Sequence, residues 1–291
     1  MKNSALALFV ALALWTNCIN AQTRAPQDVR RVTVTSKYDI VDGKKTNQYK
    51  TIKQEIYDSL GHKHTVVHFN PTTGKIDGYT WNTFHDGRLV SVEEFCNDKL
   101  LKKVEYTYTS NSLVDKEKVS TTMGQELALN LILKYTYNAA QKPVKIVATS
   151  GKGKKAYTIK AEYNSNGAEV KRKVSVKKGF MPQDSILELT NLPKYDSSGR
   201  VVSEQKFIKY ADGQSVSTVS TYSYDKQGNI SQKTESDKSG NLLYTYTYKC
   251  NSKGKVIIAD KLDSSGRLIE SFAYRHEVYP KSNVAHREVE Y

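Results

Sequence analysis

The side chains best suited to chemistry are histidines gathered in one short stretch. His62, His64 and His68 share a parity, so on a strand they point to one face, and a hairpin turning at Gly74 would carry His85 back toward His62. Two imidazoles two residues apart can hold zinc or copper when a third ligand converges, which makes His62, His64 and His85 the candidate metal ligands. The same spacing describes a solvated polar face opposite Val67 and Phe69, since neither cysteine nor paired carboxylate reinforces it. A nucleophile elbow, a phosphate-cradling glycine loop, a His-Glu-x-x-His helix and paired-cysteine motifs are all absent. Gly151-Lys152-Gly153-Lys154-Lys155 lacks the strand-loop-helix setting of a phosphate loop and reads as a hairpin turn, and the adjacent Glu93 and Glu94 would point to opposite faces of a strand. The expectation is a non-enzymatic chain with no cofactor, the alternative being a metal-dependent enzyme built on the histidines.

Cations form the second constellation. Residues 142–178 hold eleven Lys or Arg against Glu162 and Glu169, a net +9 within a chain of formal charge +14. Strand parity places Lys154 and Lys160 on one face, and Lys171, Lys173 and Lys177 together on a nearby strand. Such a ladder suits a polyanion, with an acidic glycan or lipopolysaccharide, or another envelope protein, favoured over nucleic acid; binding would weaken as salt rises. Solubility and edge protection by lysine are the plain alternative.

These side chains must be positioned by a repeat that runs along most of the chain. An aromatic residue directly before a polar turn recurs at Tyr57, Phe84, Tyr108, Tyr137, Tyr163, Tyr195, Tyr224, Tyr248 and Tyr274, at intervals of 24 to 32 residues. The turns that follow are alike, as in Asn164-Ser165-Asn166-Gly167 and Asn251-Ser252-Lys253-Gly254, because Asp or Asn bonds its own backbone and Gly supplies a positive φ. A second class of turn falls midway, at Gly74, Gly153, Gly213, Gly240 and Gly266, so each repeat is one β-hairpin. Between turns, tyrosines stand two apart with Thr or Ser between them, as at Tyr244, Tyr246 and Tyr248, which is the alternation of a two-faced strand. Gln125 to Leu133 has period two and reads as strand, Gly179 to Leu192 breaks the rhythm as a longer loop, and Val284 to Tyr291 could supply a last strand.

The strings Tyr195-Asp196-Ser197-Ser198-Gly199-Arg200-Val201 and Tyr224-Asp225-Lys226-Gln227-Gly228-Asn229-Ile230 resemble the YD-repeat, or RHS-like, family of extracellular bacterial proteins, with Tyr57-Asp58 and Gly61 a looser match. The resemblance implies tandem hairpins in long curved sheets that wrap into shells, with activity residing in an appended domain for which this length leaves no room.

Met1-Lys2 followed by an apolar run and Ile19-Asn20-Ala21-Gln22 predicts an export signal over residues 1–21, with lipidation at Cys18 as the alternative. Removal of Lys2 would leave +13 on the repeat domain, residues 22–291. No later segment reaches the ~20 apolar residues of a spanning helix. Cys96 and Cys250 stand about eleven strands apart, roughly 50 Å in an open sheet, so they are expected to be unpaired and a bond between them would imply closure. Together these features predict an all-β antiparallel meander of tandem hairpins forming one long curved or rolled sheet. The expected role is binding at the cell envelope or surface, with periplasmic, outer-membrane-surface or secreted siting. The alternative is an outer-membrane β-barrel, opposed by the lysines of Lys99 to Tyr108 and Val170 to Lys178.

Overall fold

The computed structural model describes residues 29–124, 126–177 and 186–279. The export signal, Cys18 and the strand expected after Val284 lie outside the described residues. Eighteen strands follow one another: β1 (Val29–Val41), β2 (Lys44–Asp58), β3 (Lys63–Phe69), β4 (Ile76–His85), β5 (Arg88–Cys96), β6 (Lys99–Tyr108), β7 (Val114–Met123), β8 (Glu126–Tyr137) and β9 (Pro143–Ser150). The second half comprises β10 (Lys155–Tyr163), β11 (Glu169–Val176), β12 (Ile186–Tyr195), β13 (Val201–Tyr210), β14 (Ser215–Tyr224), β15 (Ile230–Asp237), β16 (Leu242–Cys250), β17 (Val256–Asp263) and β18 (Leu268–Val278). The leucine-rich segment is strand β8, as its period of two requires, and the last part of the expected loop, residues 186–192, belongs to β12.

The turns form as the sequence dictates. In the turn after β12, Asp196 N–H donates to the Arg200 carbonyl and Gly199 N–H to the Asp196 carbonyl, while Asp196 Oδ1 accepts from the Ser198 and Arg200 amides. Gly199 closes it at φ 76°, and the same bonds recur around Asp225, Asn251 and Asp263. At two turns Ser112 and Gln141 hold the glycine's left-handed place, at φ 64° and 58°. The turns after Tyr57, Phe84, Tyr108, Tyr137, Tyr163, Tyr195 and Tyr224 each leave a bulge in the ladder. Cys250 rather than Tyr248 holds that place before Asn251, and Tyr274 lies inside β18.

Every strand pairs antiparallel with the next, and the last returns to the first. Strand β1 pairs with β2 on one side and with β18 on the other, from Arg31↔Val278 through Lys37↔Phe272. The expected long curved or rolled sheet is therefore corrected to a closed up-and-down barrel of 18 strands. The physical reason is the edge: an open meander would leave the β1 and β18 backbones unpaired along one side, and the ring satisfies both. Closure needs no disulfide. Cys96 and Cys250 are free, and the β1–β18 seam does the joining.

The barrel is not filled by a dry core. Buried hydrophobic residues among those described are confined to Val32, Val34, Ile56, Phe69, Val104, Ala148, Ala156 and Val174, and the largest side chain below 2% exposure is Ser271. The one apolar cluster joins Val32, Val34 and Ile56 beneath Tyr279, beside the seam. With strands ~4.8 Å apart and tilted by roughly 40°, an 18-stranded ring is about 35 Å across between backbones, wide enough for water.

Candidate functional site

Closure gives the sheet a concave and a convex wall, and side chains converge on the first and diverge on the second. On several strands exposure follows that rule. On β13, Gln205, Phe207 and Lys209 are exposed while Lys206, Ile208 and Tyr210 between them are half-buried, and β6, β8, β10 and β12 alternate in the same sense. Through the cross-strand register, the half-buried set carries nearly all the strand tyrosines, including Tyr106, Tyr135, Tyr157, Tyr222 and Tyr246. That wall lines the lumen.

The pre-turn tyrosines have a specific task there. Tyr108 Oη donates to the Leu89 carbonyl at 2.6 Å, Tyr137 to Val114 at 2.8 Å, Tyr163 to Pro143 at 3.1 Å and Tyr224 to Val201 at 2.7 Å. Each acceptor lies at the start of the neighbouring strand, beside the preceding turn, so the ring lies across that strand and its hydroxyl ties one hairpin to the one before. Tyrosine therefore recurs for its hydroxyl as much as for its ring. Tyr137→Phe is expected to lose about 1 kcal/mol in urea unfolding with the slope unchanged, the ordinary contribution of one such bond.

Many of the lumen's charges are paired, while Glu117 accepts from the Tyr135 hydroxyl at 2.6 Å. Glu55 lies 2.7 Å from Lys63 and 3.5 Å from Lys53, Glu94 2.9 Å from Lys102, and Glu204 3.0 Å from Lys206 while also accepting from Tyr222. Glu235 meets Lys233 and the Tyr246 hydroxyl, and Glu270 lies between Lys37 and Lys261. Lys261 also sits 3.9 Å from the centre of the Tyr244 ring. The concave wall thus combines aromatic faces with neutralised ion pairs.

His62 and His64 do come together, but around a carboxylate. Asp58 Oδ2 is 3.0 Å from His62 Nδ1 and 3.1 Å from His64 Nε2, and Phe84 stacks on His62 with centroids 4.5 Å apart. Phe84 is the aromatic of its repeat that lacks a hydroxyl, and His62 stacks on its face with His64 edge-on beside it. His85 is 80% exposed and faces Asp86 at 3.4 Å, away from that cluster, and His68 is exposed on β3. Among the described residues no group of three or more His, Cys, Asp or Glu side chains is placed to hold a metal ion.

Burial pushes the Asp58 carboxyl up, but hydrogen bonds from the His62 amide and from both imidazoles outweigh it and hold the group below the usual carboxylate range. A depressed folded value means that this contribution is present above the unfolded pKa and fades as pH falls through the folded one. Asp58→Asn is accordingly expected to be less stable than the wild type near neutrality, with the gap in melting temperature shrinking below about pH 4.

The expected basic ladder divides into two. Lys160 lies directly opposite Lys173, and both are exposed on the convex wall. Lys171 shares that wall one pair along, 3.7 Å from Glu162. Lys154 sits in the turn between β9 and β10 and Lys177 just past the end of β11, both at the opposite rim. Lys145 joins the row, though sequence parity does not mark it. It stands opposite Lys160 from the other side, which only the β9–β10 register reveals.

No known protein family matches the chain, and no curated protein does either. Among solved structures, a porin-like protein from Bacteroides uniformis ATCC 8492 aligns over 86% of this chain and 96% of its own at 13% identity and a TM-score of 0.41. A porin-like protein from Bacteroides vulgatus ATCC 8482 aligns over 87% and 98% at 11% identity and a TM-score of 0.32. The Photorhabdus luminescens Tc holotoxin pore aligns over 87% of this chain at 12% identity and a TM-score of 0.34, the match spanning 16% of that chain. Identities and scores this low say nothing of what the present chain binds or conducts. The ring itself fits the outer-membrane barrel alternative better than an extended binding sheet, because it leaves no free sheet edge among the described strands.

Proposed function

We propose that the protein is an exported, non-catalytic β-barrel of the cell envelope, associated with the outer membrane and enclosing an aqueous lumen. The observation that carries this reading is the β1–β18 pairing, which turns a repeat sheet into a ring of 18 strands. Rings of this size leave an aqueous passage where smaller ones are filled by side chains. The lumen wall, with tyrosines and neutralised ion pairs, suits polar solutes in both charge states.

The convex wall sets how such a ring meets lipid. Exposed apolar side chains stand there at Leu101, Leu127, Leu129, Leu192 and Phe207, on β6, β8, β12 and β13. Half-buried Val67, Tyr79, Trp81 and Phe95 share that wall on β3 to β5. The outward positions of β14 to β16 are instead polar, with Thr221 and Ser223 on β14, Gln232 and Thr234 on β15, Thr245 and Thr247 on β16, and β8 to β11 carry lysines. A lysine on a lipid-facing barrel wall costs about 2–4 kcal/mol at the bilayer midplane, so this wall favours contact with the membrane over part of its circumference.

Fractionation of expressing cells tests the reading. The protein is expected in the envelope fraction, released by urea or carbonate without detergent, with gel mobility unchanged by heating. Detergent-dependent extraction with heat-modifiable mobility would replace it with a full-circumference transmembrane pore, and recovery in the cytosol would overturn envelope function altogether.

A further inference from the structure

The outward cations of β8 to β10 differ from those of the lumen. In the lumen, Lys53, Lys63, Lys102, Lys206 and Lys233 each meet a carboxylate within 4 Å. On the convex wall of β9 to β11, Lys145 faces Lys160 and Lys160 faces Lys173 in a single cross-strand row, and β8 adds Lys134, itself directly opposite Lys116 of β7. The ends of the row are relieved, by Glu188 at 3.3 Å from Lys173 and by Asp115 at 3.5 Å from Lys116, and the flanking Lys171 lies 3.7 Å from Glu162. Lys134, Lys145 and Lys160 are exposed and have no carboxylate partner among the described residues.

Like charges directly opposite each other destabilise a sheet, by roughly 0.2–1 kcal/mol per pair. Threonine or glutamine, which fill comparable outward positions on β14 to β16, would remove that cost. A row that concentrates uncompensated ammonium groups at strand spacing, ~5 Å apart, has the form of a receptor for a linear polyanion. The partner's class follows from what is missing around it. The outward residues of β8 to β11 include no aromatic side chain, because Tyr135, Tyr137, Tyr157 and Tyr163 all face the lumen. Nucleic-acid binding to single strands relies on aromatic platforms for the bases, and this wall offers none.

We propose that the Lys145–Lys160–Lys173 row, flanked by Lys134 and Lys171, is a docking surface for an acidic polysaccharide. It goes beyond the barrel reading, and fractionation and ligand binding fail independently. The probes are dextran sulfate and polygalacturonate, titrated into the full chain at several salt concentrations, with neutral dextran, single-stranded DNA and phosphatidylglycerol-containing vesicles alongside. The wild type is expected to bind both acidic polysaccharides and not neutral dextran, with affinity falling steeply with salt. Lys145→Gln/Lys160→Gln/Lys173→Gln should lose at least about tenfold in affinity and flatten the salt slope, while melting no lower than the wild type because the opposed charges are gone. Lys226→Gln/Lys238→Gln/Lys253→Gln, which removes the same charge from turns elsewhere, should bind as the wild type. Equal losses in both triple variants, wild-type binding by the first, tighter binding of DNA, or binding to vesicles alone would each overturn the proposal.

Discussion

A chain carrying Ser36→Cys and Ala273→Cys, with Cys96 and Cys250 changed to serine, is expected to oxidise to one intramolecular disulfide and to gain about 5 kcal/mol in unfolding free energy. Ser36 and Ala273 lie directly opposite each other across the β1–β18 seam, with both side chains on one wall. Residues so paired have Cβ atoms ~4.5–5.5 Å apart, close enough for a bond after a small local shift. The gain is large because the bond closes almost the whole chain into a loop and removes that freedom from the unfolded state. In an open sheet the same residues would lie roughly 80 Å apart and no monomeric disulfide could form. Faster migration on a non-reducing gel together with a raised denaturation midpoint checks the result. Dimeric disulfides would show instead that the seam belongs to two molecules.

Val34→Pro is expected to have the opposite effect, abolishing the cooperative transition of the barrel. Strand β1 is paired on both sides at this residue, with Arg275 across one ladder and Gln54 across the other. Proline removes a donor and fixes φ, and inside a paired strand its ring is not accommodated, a loss of about 3 kcal/mol or more. The substitution also removes a buried member of the apolar cluster beside the seam, where Val34 is 7% exposed beside Val32 and Ile56. Because the seam alone converts a meander into a ring, its failure should propagate, leaving a chain with two free edges and a tendency to aggregate. Circular dichroism during heating, with light scattering, measures this. Retention of a wild-type transition would mean that β1 is dispensable to closure.

Local structure was legible because each piece of it is decided within a few residues. Asp196 and Gly199 specify their turn through bonds made inside it, and the alternation of Tyr244, Tyr246 and Tyr248 specifies a two-faced strand. A period of two in Leu127 to Leu133 was enough to read β8 against the helix propensity of leucine. The candidate sites were legible only in part. Shared parity puts Lys171 and Lys173 on one face of β11, since parity is local, but their meeting with Lys160 depends on the β10–β11 register. Lys145 and the partnership of Asp58 with His62 and His64 depended on register and side-chain reach between strands, which no spacing encodes.

The sequence by itself determined a chain of hairpins, their turn chemistry and the rhythm of tyrosines, because bulge, turn and alternation are properties of short segments. Only the tertiary structure decided that β1 meets β18, and hence which wall is concave, where the tyrosine hydroxyls and ion pairs gather, and which lysines face outward with no carboxylate partner among the described residues. The reason is that closure is a sum of small twists and tilts over eighteen strands. No single segment carries it, and the pairing that completes the ring joins residues more than two hundred positions apart, such as Thr33 and His276.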